Sequence, residues 1–147
     1  MQILLTSVLL LIFGLWQPTS MDTPEAQSAT ISIEITAIPS VEGVVRIALF
    51  NKEEGFRDEN FALRKELFPV KGNQATWEFR DVVPGKYAVA VYHDADNNGK
   101  LDTNFFGIPT DAYGFSNNAM GLFGPPDFED ASFVVAGGVR KISIKLH

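Results

Sequence analysis

Apolar and polar residues alternate along most of the chain after Ala29, and this two-residue period is typical of half-buried β-strands. The first clear case is Ile31, Ile33 and Ile35, which alternate with polar neighbours. Because each such segment has one apolar and one polar face, the strands fit antiparallel sheets with a single buried side. The segments fall at residues 31–35, 45–49, 76–80, 89–91, 133–135 and 142–146, with a seventh within 62–70.

Seven strands of this kind are enough for two packed sheets. We therefore predict an all-β fold, an immunoglobulin-like or transthyretin-like antiparallel sandwich of about seven strands with one long ordered loop. A charged stretch at residues 52–60 is predicted to be a solvated face. The residues predicted to be buried are Ile33, Ile47, Val89, Val91, Phe133 and Ile144.

The first 28 residues differ in kind from the rest of the chain. Residues 3–16 are almost entirely apolar and are followed by a polar break at residues 17–20. This length is short for a membrane span and is typical of a secretory signal. We predict a signal peptide and linker at residues 1–28 and the β-sandwich domain at residues 29–147, with an uncleaved N-terminal anchor as the alternative. The expected location is periplasmic or extracellular, with no membrane span after signal removal.

Composition narrows the classes of function. The formal net charge of -6 repels phosphate backbones, so nucleic acid is not an expected partner. The chain has no cysteine, which excludes disulfides, thiolate catalysis and cysteine-type zinc sites. His93 and Asp94 are adjacent on a predicted strand, so their side chains point to opposite faces and are poorly placed for an acid–base pair.

The strand around residue 91 runs into a cluster of oxygen-bearing side chains. Asp94, Asp96 and Asn98 are spaced two residues apart and a glycine follows them, which is the first half of a calcium-loop pattern. The next backbone carbonyl and one further carboxylate would add ligands, because hard cations need several converging oxygens. The residues predicted to ligate calcium are Asp94, Asp96, Asn98, Lys100 and Asp102.

The calcium pattern is incomplete. An EF-hand loop ends with a bidentate glutamate at its twelfth position, where this chain has Phe105. A distant carboxylate such as Asp111, Glu129 or Asp130 would have to complete the site. The competing interpretation is a hairpin turn at an Asn-Gly pair, in which Asp and Asn side chains bond nearby backbone N–H groups. The spacing leaves both interpretations open.

Residues 105–130 are rich in glycine, proline and aromatic rings and are predicted to contain neither strand nor helix. A loop of this length is uncommon in a compact domain and is usually functional or packed by its own side chains. Its rings are too many to leave in water, so they plug one open end of the sandwich or form a platform for a protein, peptide or glycan ligand. These rings are Phe105, Phe106, Tyr113, Phe115, Phe123 and Phe128.

Three segments, YHDADNNGKLDTNFFGIP, YGFSNNA and GPPDFEDASF, resemble a family of exported bacterial proteins called domain of unknown function 2141. The resemblance covers residues 31–146 and implies a secreted or periplasmic β-sandwich, without implying an activity. A shorter segment, FRDVVPGKYAV, looks like a turn and strand of transthyretin-like and collagen-adhesin B-type domains, which bears on the fold alone.

The leading prediction for function is a non-enzymatic binding or accessory module with a calcium-binding turn at residues 94–102. The alternative is a hydrolase that acts on extracellular or envelope polymers through carboxylates of residues 94–130, although the spacing selects no pair. An open cleft with two carboxylates would favour the hydrolase. A loop packed by its own rings would favour the binding module.

Overall fold

The computed structural model describes residues 28–147, and it folds them as an all-β sandwich. The signal peptide predicted for the N-terminal segment lies outside the described residues. Among residues 28–147, no helix has the length and apolar character needed to cross a membrane. The strands are β1 (Ala29–Thr36), β2 (Val44–Phe50), β3 (Arg64–Pro69), β4 (Gln74–Val82), β5 (Gly85–Asp94), β6 (Tyr113–Phe115), β7 (Phe133–Val135) and β8 (Gly138–Lys145).

The eight strands form two sheets. The first has the order β4-β1-β8, in which β1 pairs antiparallel with β4 and parallel with β8. The second has the order β3-β2-β5-β6, and β7 also pairs with β5; all of its pairings are antiparallel. The sandwich is confirmed, and the parallel β1–β8 pair departs from the fully antiparallel prediction. Residue alternation reports burial but not the direction of a neighbouring strand.

The main core lies between the two sheets. All six residues predicted to be buried are confirmed, with no more than 5% of any of them exposed. At one edge the sheets meet through Phe68 and Trp77, whose rings stack with their centroids 5.1 Å apart. Beside them, the Arg64 guanidinium lies 5.2 Å from the centre of the Phe79 ring. The core therefore closes at this edge through aromatic and cation–π contacts.

A second apolar cluster covers the outer face of the five-stranded sheet. Ala48 and Ala88 are small enough to let rings approach the sheet there. Phe56 contacts Phe115 and Phe128 with ring centroids 5.9 and 5.6 Å apart. Because Phe115 and Phe128 cover a sheet face, the prediction that they plug an open end of the sandwich is wrong for these two rings.

The segment predicted to lack regular structure contains three short elements. They are β6, a 3₁₀-helix at Ser116–Asn118 and a short helix, α1, at Phe128–Ala131. Another 3₁₀-helix lies at Glu59–Phe61. The prediction of neither strand nor helix for residues 105–130 is therefore wrong. A three-residue strand and single helical turns are too short to show a period in the sequence.

Candidate functional site

Asp94 ends β5 and is fully buried on the outer side of the sheet. Its Oδ2 accepts a hydrogen bond from Arg46 Nε at 2.7 Å and another from the Gly99 N–H at 3.0 Å. Its Oδ1 accepts the Asn98 N–H at 3.0 Å. Both carboxylate oxygens are thus used to hold the turn and to bind the neighbouring strand β2.

The charge of Asp94 is stabilised by these donors. Burial raises the pKa of Asp94, but the hydrogen bonds from Arg46, Gly99 and Asn98 outweigh it, so the pKa is lowered from its ordinary value. The same hydrogen bond with Asp94 raises the pKa of Arg46. The two side chains therefore form a charged pair at neutral pH.

The other predicted calcium ligands meet on the exposed side of the turn. Asn98 Nδ2 donates to Asp96 Oδ2 at 3.1 Å and to both Asp102 oxygens at 2.9 Å. Asn98 Oδ1 accepts the Lys100 N–H at 2.8 Å. The side-chain amide of Asn98 joins Asp96 and Asp102, whereas Asp94 meets the same residue through the Asn98 backbone N–H and also binds Arg46.

Of the three distant carboxylates proposed to complete the calcium site, one lies beside the turn and two lie in α1. Asp111 Oδ2 accepts the Asp102 N–H at 2.9 Å, which brings Asp111 beside the turn. Glu129 and Asp130 lie in α1, where Glu129 pairs with Lys86. Within residues 28–147, no group of three or more His, Cys, Asp or Glu side chains is placed to hold a metal ion. The calcium site stays a prediction.

His93 has a structural role at the end of the sandwich. It is buried, and its Nε2 donates to the backbone carbonyl of Glu42 at 2.7 Å. The strand register places it opposite Val45 on the core face, whereas Asp94 lies on the other face. The two residues therefore point apart, as the strand period predicts.

The outer face of the five-stranded sheet also carries a cavity of about 680 Å³, which we call the outer-face groove. Its floor is formed by sheet residues, and its walls are two arms at residues 101–109 and 120–125. The floor residues are Ala90, Tyr92, Tyr113 and Phe115. The largest apolar side chains of the arms are Leu101, Phe106, Ile108, Met120, Leu122 and Phe123.

The tips of both arms project into solvent. Phe105 is 98% exposed and Phe106 82% exposed in the first arm, and Leu122 and Phe123 are 94% and 103% exposed in the second. The prediction that the rings of residues 105–130 plug one end of the sandwich is therefore wrong for Phe105, Phe106 and Phe123, and the alternative of a ligand platform stays a prediction. Contiguous exposed apolar side chains of this size mark interaction sites more often than inert surface.

The first arm is a hydrogen-bonded hairpin. Thr103 pairs with Pro109, and the Asn104 N–H donates to the Ile108 carbonyl at 2.8 Å. Asn104 Oδ1 accepts the N–H groups of Phe106 and Ile108 at 2.9 and 3.1 Å. The backbone hydrogen bonds of this arm are thus made inside the hairpin, which carries the exposed Phe106 ring at its tip.

Polar groups are few in the outer-face groove. Arg57 is the one charged side chain among the residues that line it, and no carboxylate lines it within the described part of the chain. Hydroxyls come from Thr103, Tyr92 and Tyr113. Burial and the nearby charge of Glu59 raise the pKa of Tyr92, so its hydroxyl stays protonated. Sequence reasoning missed Arg57 because a charged stretch usually marks only a solvated face.

Two solved structures show a likeness to the chain: the pilus-presented adhesin Spy0125 (Cpa) and a cysteine-to-alanine mutant of it. The identities are 13% and 14%, with TM-scores of 0.25 and 0.23. Each match covers 84% of this chain and 27% of the adhesin chain, so the chain spans about a quarter of their length. No curated protein matches the chain. The bacterial family described as "Uncharacterized protein conserved in bacteria (DUF2141)" matches residues 33–143, and the chain therefore belongs to that family.

Proposed function

We propose that the protein is an exported, non-enzymatic binding module that holds its ligand in the outer-face groove. The observation that carries this proposal is an apolar cavity of about 680 Å³ whose two walls end in exposed rings and aliphatic chains. Ligand pockets typically have volumes of about 300–1,000 Å³, mostly apolar linings and a few polar groups. The outer-face groove matches each of these features.

A binding role fits the placement of the carboxylates better than the hydrolase does. A glycosidase needs two carboxyl groups that face the substrate together. Asp94 is buried against Arg46, and Asp96 and Asp102 are bonded to Asn98. Because no carboxylate of the described residues lines the groove, general acid–base chemistry has no supporting pair there.

The ligand contacts side chains rather than adding a strand to the sheet. β6 is the strand next to the groove, and its Tyr113 exchanges backbone hydrogen bonds with His147, at 3.2 Å and 2.9 Å. An added peptide strand would need those backbone groups to be unpaired. A protein, peptide or glycan at residues 105–130 would therefore bind through the rings of the arms.

A neutral fluorescent probe, N-phenyl-naphthylamine, tests this proposal. Its fluorescence should rise when it enters the outer-face groove, and the double variant Phe106→Ser with Leu122→Ser should abolish the rise. Val139→Ser is the matched control, because Val139 is 63% exposed and lies outside the groove lining. Equal probe binding by wild type and the double variant would refute the groove as a binding site.

Export is the second part of the proposal, and it is supported by the apolar run and polar linker at the start of the chain. Protein recovered from the source cell should begin between residues 18 and 30, as N-terminal sequencing or mass spectrometry would show. Intact Met1 on a protein in the cytoplasmic fraction would refute export.

Calcium binding is the third part of the proposal. It is supported by the approach of Asp96 and Asp102 to the side-chain nitrogen of Asn98, because two carboxylates that reach one point can share a hard cation once the amide turns its oxygen toward them. The Lys100 carbonyl would add an oxygen, and Asp94 would keep its structural bond to Arg46. With two carboxylates the affinity should fall in the range of about 0.1–1 mM that is usual for extracellular modules.

A further inference from the structure

We infer that the ligand of the outer-face groove is a free amphiphile with an anionic head, such as a fatty carboxylate, whose head pairs with Arg57 and whose chain lies between the arms. This inference rests on the binding function proposed above and adds the chemical class of the ligand. It follows from the character of the lining, the position of Arg57 and the lack of competing carboxylates in the groove.

Arg57 is held at the groove by the residue before it. Phe56 is buried in the outer ring cluster and contacts Phe115, which forms part of the groove floor. Arg57 itself has a φ of 81°, in the left-handed region that residues other than glycine rarely adopt. An uncommon backbone conformation beside a cavity suggests that the direction of the side chain has a function, because the backbone sets that direction.

The Arg57 guanidinium is available to a ligand. Within residues 28–147 none of the ion pairs includes Arg57, and its Nε donates only a long hydrogen bond of 3.4 Å to the Phe56 carbonyl. The two nearest acids have partners other than Arg57: Asp58 accepts bonds from Asn60, and Glu59 lies 3.9 Å from Lys65 and interacts with the Tyr92 hydroxyl. A carboxylate head would find a fork of donors there without displacing an internal partner.

The rest of the lining selects an apolar body. A glycan carries hydroxyls along its whole length, and each buried hydroxyl without a partner is unfavourable. The lining offers three side-chain hydroxyls, from Thr103, Tyr92 and Tyr113, and is otherwise apolar apart from Arg57 and backbone. An alkyl chain gains from contact with Phe106, Leu122 and the other apolar walls, and it needs no hydrogen bonds.

Charge distribution makes this groove distinctive within an acidic protein. The chain carries a formal net charge of -6, yet among the described residues the lining of the outer-face groove includes a cation and no anion. A surface of that overall charge repels anions at long range. A single positive group in the groove would therefore favour one anionic head at that position alone.

Competition on the purified full chain tests the inference. Dodecanoate and dodecanol, both below their aggregation concentrations, would displace N-phenyl-naphthylamine from the groove. Dodecanoate should do so at a concentration about fivefold lower, as expected for one partly exposed ion pair. Arg57→Gln should remove this preference and leave displacement by dodecanol unchanged, whereas Arg57→Lys should keep part of it. Lys71→Gln, which makes the same charge change outside the groove lining, should behave as wild type.

Each other outcome has a defined meaning. Equal competition by the two compounds, or no effect of Arg57→Gln in a folded variant, would overturn the anionic head while the groove remains a binding site. If the wild-type protein does not bind N-phenyl-naphthylamine at all, the proposed binding function itself is refuted. Binding of dodecanoate only in the presence of phosphatidylcholine vesicles would overturn the free amphiphile and would indicate a membrane surface.

Discussion

The hydroxyl oxygen of Ser116 accepts the backbone N–H of Val89 at 2.9 Å, at a position of β5 that pairs with neither β6 nor β7. β6 pairs with β5 from Ala90 onward, whereas β7 pairs with it only as far as Tyr87. Ser116 is fully buried, and its hydroxyl also bonds the carbonyl of Ala131. One side chain thus replaces a strand partner and ties α1 to the sheet.

Ser116→Ala should lower the free energy of unfolding by about 1–3 kcal/mol, because it leaves a buried N–H and a carbonyl without partners. Urea unfolding followed by circular dichroism measures this loss. Ser132→Ala is the control, since its hydroxyl bonds the Glu129 carbonyl at an exposed position and its removal should change the free energy by less than about 0.5 kcal/mol. Similar losses at both serines would contradict the bridging role of Ser116.

Truncating a core side chain should lower the free energy of unfolding far more than truncating a surface side chain. Val91→Ala or Ile144→Ala should reduce the free energy of unfolding by about 2–4 kcal/mol, because both side chains are buried between the sheets and leave cavities. Val139→Ala at a position 63% exposed should have a small effect. Losses below about 0.5 kcal/mol at both core sites would mean that the buried face of the sandwich is misassigned.

The long strands could be predicted from the sequence because apolar and polar residues alternate over many positions in each of them. Ile33 and Ile144 were identified in this way, and both are buried. β6 could not be found, since three residues give no readable period and its pairing depends on residues more than twenty positions away along the chain. The exposure of Phe106 depends on the hydrogen bonds of its own hairpin, which composition does not encode.

The candidate site was predicted in part. The spacing of Asp94, Asp96 and Asn98 indicated a structured turn, and the structure places the three in one hydrogen-bonded turn. What the spacing could not show is the partner Arg46, which lies 48 residues earlier and reaches Asp94 diagonally across the β2–β5 register. Arg57 was missed for a related reason, because its role depends on a groove that four other segments of the chain build together.

The Arg46–Asp94 pair should make stability depend on pH. The folded pKa of Asp94 is lowered from an ordinary value of about 4, so its contribution is present above that pH and is lost as the pH falls through the folded pKa. Asp94→Asn should cost about 2 kcal/mol at neutral pH, and the difference from wild type should shrink below about pH 4. Asp127→Asn, at an exposed carboxylate, is the control for general charge effects. A difference that stays constant from pH 7 to about pH 2 would contradict the charged pair.

Calcium should raise the melting temperature of the protein in a dose-dependent way if Asp96, Asn98 and Asp102 bind it, because the ion would bind the folded turn alone. Magnesium should do less, since it demands a tighter octahedral shell and dehydrates reluctantly. Asp96→Ala should abolish the calcium response while leaving the metal-free melting temperature nearly unchanged, and Asp127→Ala should respond as wild type does. The hairpin interpretation predicts no calcium response, because there Asp96 accepts the backbone N–H and the side-chain amide of Asn98, both at 3.1 Å, and binds no ion. A flat melting temperature across millimolar calcium would leave residues 94–102 as a turn held by Asp94 and its bond to Arg46.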